Sequence, residues 1–159
     1  MIPWQVTWTE PVRFIFVPTF MQKNLSLRIA VFGTLLILSL TILFHFFVIA
    51  GVVPSNIVWG GNLADSSMFY LMEAVSVVLN CIMLLIVWNY AENVQQGTFR
   101  KWIIVAIWAM TVLFTLNTVG NLLAKTSLET YIFTPLTALL ALFCFRMATF
   151  AAQQHNHLT

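Results

Sequence analysis

Residues 27–53 read LRIAVFGTLLILSLTILFHFFVIAGVV, and Arg28, at the very start, is the only fixed charge in the stretch. A hydrocarbon core of about 30 Å is crossed by roughly 20 helical residues rising about 1.5 Å each, so this stretch is long enough to span a bilayer. Three further windows of that kind follow at 68–90, 102–123 and 128–150. Together they use up most of the 159 residues. The composition agrees: 60% of residues are apolar and 8% charged, mean hydropathy is +0.91, and soluble domains usually carry about 25% charged residues. The fold class expected is all-α, an integral membrane up-down four-helix bundle, because short connections make consecutive helices antiparallel neighbours.

Positive charge orients the spans. Arg13, Lys23 and Arg28 precede the first, Arg100 and Lys101 separate the second from the third, and Arg146 lies near the end of the fourth; only Lys125 falls on the other side. Basic residues collect on the cytoplasmic face, and the long arginine side chain at 146 can extend toward it. Both termini are therefore assigned to the cytoplasm of a multi-pass protein of the cell membrane. A net charge of +2 is explained by this topology and leaves no nucleic-acid footprint. The first span exceeds the roughly 7–15 apolar residues of a cleavable signal peptide and is expected to stay in the mature protein.

Around the spans, residues 1–26 hold Trp4, Trp8, Phe14, Phe16 and Phe20 among Pro3, Pro11 and Pro18, which reads as an aromatic interfacial anchor. Residues 151–159 read as a solvated cytoplasmic tail. Pro54-Ser55-Asn56 is expected to stop the first span, and Gly60-Gly61-Asn62 to turn the chain beside Trp59. Thr126 with Glu129 fits a capping box, starting the fourth helix near Ser127. Gly61-Asn62-Leu63 is echoed by Gly120-Asn121-Leu122, which would make the chain two repeated parallel helical hairpins; similar turn chemistry explains the echo equally simply. Small residues at Ser76, Gly120 and Ala138 to Ala141 would let helices approach closely. Pro135 cannot donate to the carbonyl of Tyr131, so the fourth helix should bend there, with a kink within a turn of Pro135.

Polar groups inside the spans carry the remaining information, since lipid offers them no partners. Glu73, Ser76 and Asn80 stand at i, i+3 and i+7, and Asn117 and Asn121 at i and i+4, each set on one helical face. By the expected spans, His45 lies about 12 Å before the outer end of its helix and Glu73 about 8 Å after the outer start of its own. His45, Glu73, Asn80, Asn117 and Asn121 are thus expected to form one polar site in the outer half of the membrane, able to take a cation, proton or small ligand. The plainer alternative is interhelical hydrogen bonding that merely holds helices together.

Other chemistry lacks its residues. Cys81 and Cys144 lie inside separate spans, so no disulfide framework or thiolate zinc site is expected. Bis-histidine haem needs two intramembrane histidines, and only His45 qualifies; His155 and His157 belong to the tail. No cofactor or metal is therefore expected, and no nucleophile with its base is recognisable. Three roles remain open: a transporter or binder, a non-catalytic membrane subunit or scaffold, and an intramembrane enzyme acting on a lipid or quinone. The lipid bilayer is one partner, and a four-helix protomer favours a homo-oligomer or another membrane protein as a second. Labels placed at the first and last residues should both react only from the cytoplasmic face, and labels within 59–65 only from outside; opposite accessibility of the termini would refute four spans.

Overall fold

The computed structural model describes residues 24–54, 58, 66–124 and 127–158. Four helices carry them: α1, Leu25–Ile49; α2, Ser66–Gln96; α3, Lys101–Leu122; and α4, Thr134–Leu158, which continues from a π-helical turn at Glu129–Phe133. No strand occurs among the described residues. Each helix is long and apolar enough to cross a membrane, the pattern of a multi-pass membrane protein. The interfacial anchor at 1–23, the Gly60-Gly61-Asn62 turn, the first member of the Gly-Asn-Leu echo and the Thr126 cap lie outside the described residues.

Side-chain contacts set the helix directions. Arg146, at the middle of α4, bonds to Asn24 and Ser26 at the start of α1, while His45, late in α1, meets Glu73, early in α2. Thr118 and Asn121, late in α3, reach Thr137, early in α4, and Trp108 of α3 stacks edge-on against Phe145 of α4. Consecutive helices therefore alternate in direction. α1–α2, α3–α4 and α1–α4 pack along much of their length, whereas α2 and α3 meet least, so the ring of helices has one loose seam.

Two helix ends differ from the expected boundaries, each for a backbone reason. α1 ends at Ile49 rather than near Val53, because Gly51 takes a positive φ of 73°. Gly51 N–H then bonds to the carbonyl of Val48 and Val52 N–H to that of Phe47, a Schellman closure ahead of Pro54. α2 runs past Tyr90 to Gln96, where Gly97 at φ 66° ends it and Thr98 N–H returns to the carbonyl of Asn93. The extra turns hold because Tyr90 and Val94, one turn apart, are both buried against the same core as Phe99. The expected tail is different as well: α4 continues through residues 151–158 as helix, with Ala151 fully buried.

At Pro135 the α-helical ladder is interrupted, as the missing N–H requires: the π-helical turn Glu129–Phe133 comes directly before it. Thr130 Oγ1 reaches the carbonyls of Asn121 and Ala124 at 3.4 Å each, so this turn also caps the end of α3.

The core is uneven along the bundle. Leu27, Ala30, Val31, Ile37 and Leu38 of α1 pack with Val87, Tyr90 and Val94 of α2, Ile103, Ile107 and Met110 of α3, and Leu140, Cys144, Met147 and Ala148 of α4. Most of these positions belong to the half that holds the start of α1 and the end of α4. Two polar ties fasten that half: Tyr90 Oη donates to the carbonyl of Met147 at 3.0 Å, and Arg146 donates to Ser26 Oγ at 3.0 Å and Asn24 Oδ1 at 3.2 Å. Asn24 Oδ1 also accepts from Leu27 N–H, so one side-chain oxygen caps α1 and holds α4 to it.

Close helix approach occurs at a glycine that the sequence reading passed over. A Cβ on Gly33 would overlap the ring of Phe143, so α1 and α4 touch there, whereas a Cβ on Gly120 would meet nothing. Gly120 is therefore no packing glycine. Replacing Gly33 by leucine should lower stability in detergent by about 1–3 kcal/mol through overpacking. Gly120→Ala should leave stability unchanged or raise it by up to about 1 kcal/mol, since alanine suits a helix interior better; thermal melting of the two purified variants checks both.

Candidate polar cavity among the four helices

In the half away from the packed core, polar side chains of all four helices converge on one cavity of about 380 Å³. His45, Glu73, Asn80, Asn117 and Asn121 all line it, with Thr41, Ser76 and Thr137 beside them. The helix ends set the depths. With α1 closing at Ile49, His45 stands one turn from its end, about 6 Å; with α2 starting at Ser66, Glu73 lies two turns in, about 10 Å. The antiparallel pairing of α1 and α2 turns these two positions to one level.

His45 Nδ1 and Glu73 Oε2 are 2.6 Å apart, and Glu73 is only 1% exposed. A contact this short between a ring nitrogen and a carboxyl oxygen is a strong hydrogen bond between two helices. It compensates a carboxyl group whose burial without a partner would cost several kcal/mol. Phe44 stacks edge-on against both the His45 ring, at 6.0 Å, and Phe133, at 5.2 Å, so aromatic surface borders the pair.

The asparagines share the cavity without bonding to that pair. Asn80 Nδ2 donates to the Ser76 carbonyl at 2.8 Å, and since a carbonyl only accepts, the Oδ1 of Asn80 is left as an acceptor. Asn121 Nδ2 reaches Thr137 Oγ1 at 3.4 Å, which also receives Thr118 Oγ1 at 3.1 Å. Asn117 is exposed, and its amide makes no hydrogen bond to the described residues. The five residues are thus gathered by one cavity, and only His45 and Glu73 are directly bonded to each other.

Several contributors escaped the sequence reading. Thr41 lies one turn before His45 on the same helical face, a spacing that marks it in the sequence. Phe44, Met72, Met83, Phe114 and Phe133 line the cavity as apolar walls, and nothing in the sequence separates them from lipid-facing neighbours.

Among the described residues, apolar side chains border the cavity toward each end of the bundle. At the α1–α2 connection Val58 packs with Val48 and Phe69, against Phe44. Toward the opposite end Phe114 and Leu140 are buried and lead into the packed core. No Lys or Arg occurs among the described lining residues, so the polar surface consists of one carboxyl group, one imidazole, amides and hydroxyls. Among the described residues no three His, Cys, Asp or Glu side chains converge as metal ligands. No family model, no curated protein and no solved structure matches this chain.

Proposed function

We propose that this membrane protein binds a small cationic ligand, an inorganic cation or a protonated amine, in the cavity among its four helices, with Glu73 as the anionic anchor. The observation that carries the reading is the buried Glu73 carboxyl on the wall of a cavity of about 380 Å³, a volume within the roughly 300–1,000 Å³ of small-molecule sites. An ionisable group inside a membrane span is a functional candidate because an apolar residue would be far easier to bury there. A carboxylate has about four acceptor positions, so a bound cation can share Glu73 with His45.

Binding is favoured over passage through a single protomer, because buried Leu38, Met110, Leu140 and Cys144 fill the bundle beyond the cavity. Transport would need a second protomer or a rearrangement of this core. On the cytoplasmic placement of both termini that the basic residues favour, the cavity belongs to the outer half of the membrane.

Titrating ethylammonium chloride or sodium chloride into the purified full chain in a neutral detergent, with binding read by calorimetry, tests the proposal. Glu73→Gln should weaken binding of the responsive cation by at least about tenfold, the loss of one charge-assisted contact. The same variant should melt close to the wild type, because the amide oxygen still accepts from His45. Glu73→Leu removes that acceptor and should cost about 1–3 kcal/mol of stability. Unchanged cation binding in Glu73→Gln would reduce the pair to helix glue.

A further inference from the structure

The loosest wall of the cavity is at its side. α2 and α3 pack against each other least of the neighbouring helices, and the cavity wall includes Val75 and Leu79 of α2 and Leu113 of α3, which are 45%, 47% and 40% exposed. These side chains belong to both the cavity and the outer surface of the bundle. Asn117 of α3, also exposed, stands one turn from Leu113. In a bilayer this seam faces acyl chains, so whatever enters through it comes from the lipid phase.

The chemistry of the interior selects the head of such a molecule. Asn80 and Asn121 each commit one amide N–H to a protein acceptor and keep a carbonyl oxygen, while Glu73 adds a carboxyl group. His45 is engaged with Glu73 through Nδ1. The Glu73 carboxyl and the amide oxygens are acceptors for a cation, and the rings of Phe44, Phe114 and Phe133 line the same space. A donor-rich, positively charged head fits; an anionic head meets a carboxyl group and no Lys or Arg among the described lining residues. The remaining walls, Met72, Val75, Leu79, Met83, Leu113 and Leu136, are apolar and lead to the seam.

We infer that the ligand is a membrane-borne amphiphile with a protonated amino head, admitted laterally between α2 and α3, its head at Glu73 and its hydrocarbon tail lying out through the seam at Leu79 and Leu113. This rests on the cation-binding role of Glu73 proposed above and adds the ligand class and its route.

Dodecylamine and ethylamine, both protonated near neutral pH, are the probes, bound to the purified full chain in neutral phosphatidylcholine nanodiscs. Leu113→Trp fills the seam from α3 and Leu79→Trp from α2; both positions are exposed, so neither disturbs the packed core, and either variant serves if the other fails to fold. The seam variants should weaken dodecylammonium binding at least about tenfold more than they weaken ethylammonium binding. Glu73→Gln should weaken both. Dodecanol, with the same tail and no charge, should not compete. Equal binding of dodecylammonium to wild type and seam variants, with ethylammonium still dependent on Glu73, overturns the lateral amphiphile and leaves the small-cation site standing. Competition by dodecanol that survives Glu73→Gln overturns it as plain hydrophobic adsorption. If neither amine binds, and sodium does not either, the cation site itself falls. A second copy seated in the seam would appear as a dimer that Leu113→Trp dissociates and dodecylammonium cannot enter, which also overturns the proposal.

Discussion

A carboxyl group that is 1% exposed among apolar helices is tolerable only if something at its own depth bonds to it. His45 meets that requirement from a different helix, 28 residues earlier in the chain, at 2.6 Å. The pair constrains more than itself. α1 and α2 must run antiparallel, and their register must bring a residue one turn from the end of α1 level with one two turns into α2. Gly51 and Ser66 set that register, because the Schellman closure ends α1 at Ile49 and α2 starts early.

The two halves of the bundle solve different problems. In the half near the chain ends, large apolar residues interlock, and the polar groups there are tied up: Tyr90 to the carbonyl of Met147, and Arg146 to the cap of α1. In the other half, side chains that resist tight packing come together. Asparagines, threonines and the Glu73–His45 pair leave room where leucines would interdigitate, and α2 and α3 separate around a cavity. Rigidity in one half makes openness in the other sustainable, since loose packing throughout would forfeit too many van der Waals contacts.

The interruption at Pro135 joins these halves. The π-helical turn before it turns Phe133 to the cavity and lets Thr130 cap the carbonyls at the end of α3. Irregular backbone at this depth is tolerated because its polar groups find partners within the protein. α4 is therefore both a scaffold, through Leu140, Cys144 and Met147, and part of the wall of the site.

Composition and span length alone determined that the chain is a helical, four-span membrane protein, because a hydrocarbon solvent demands about 20 apolar residues per crossing. Many of the polar residues that line the cavity, though not Thr41, were legible from spacing: Glu73, Ser76 and Asn80 declare one face of a helix, as Asn117 and Asn121 do. What periodicity within a helix cannot carry is the relation between helices. That His45 bonds to Glu73 while the asparagines bond elsewhere, that Gly33 and not Gly120 is the close contact, and that the seam between α2 and α3 stays loose all follow from how four apolar surfaces fit together. Such fits depend on the shapes of leucine, methionine and phenylalanine side chains, which look alike in sequence and differ only once they meet.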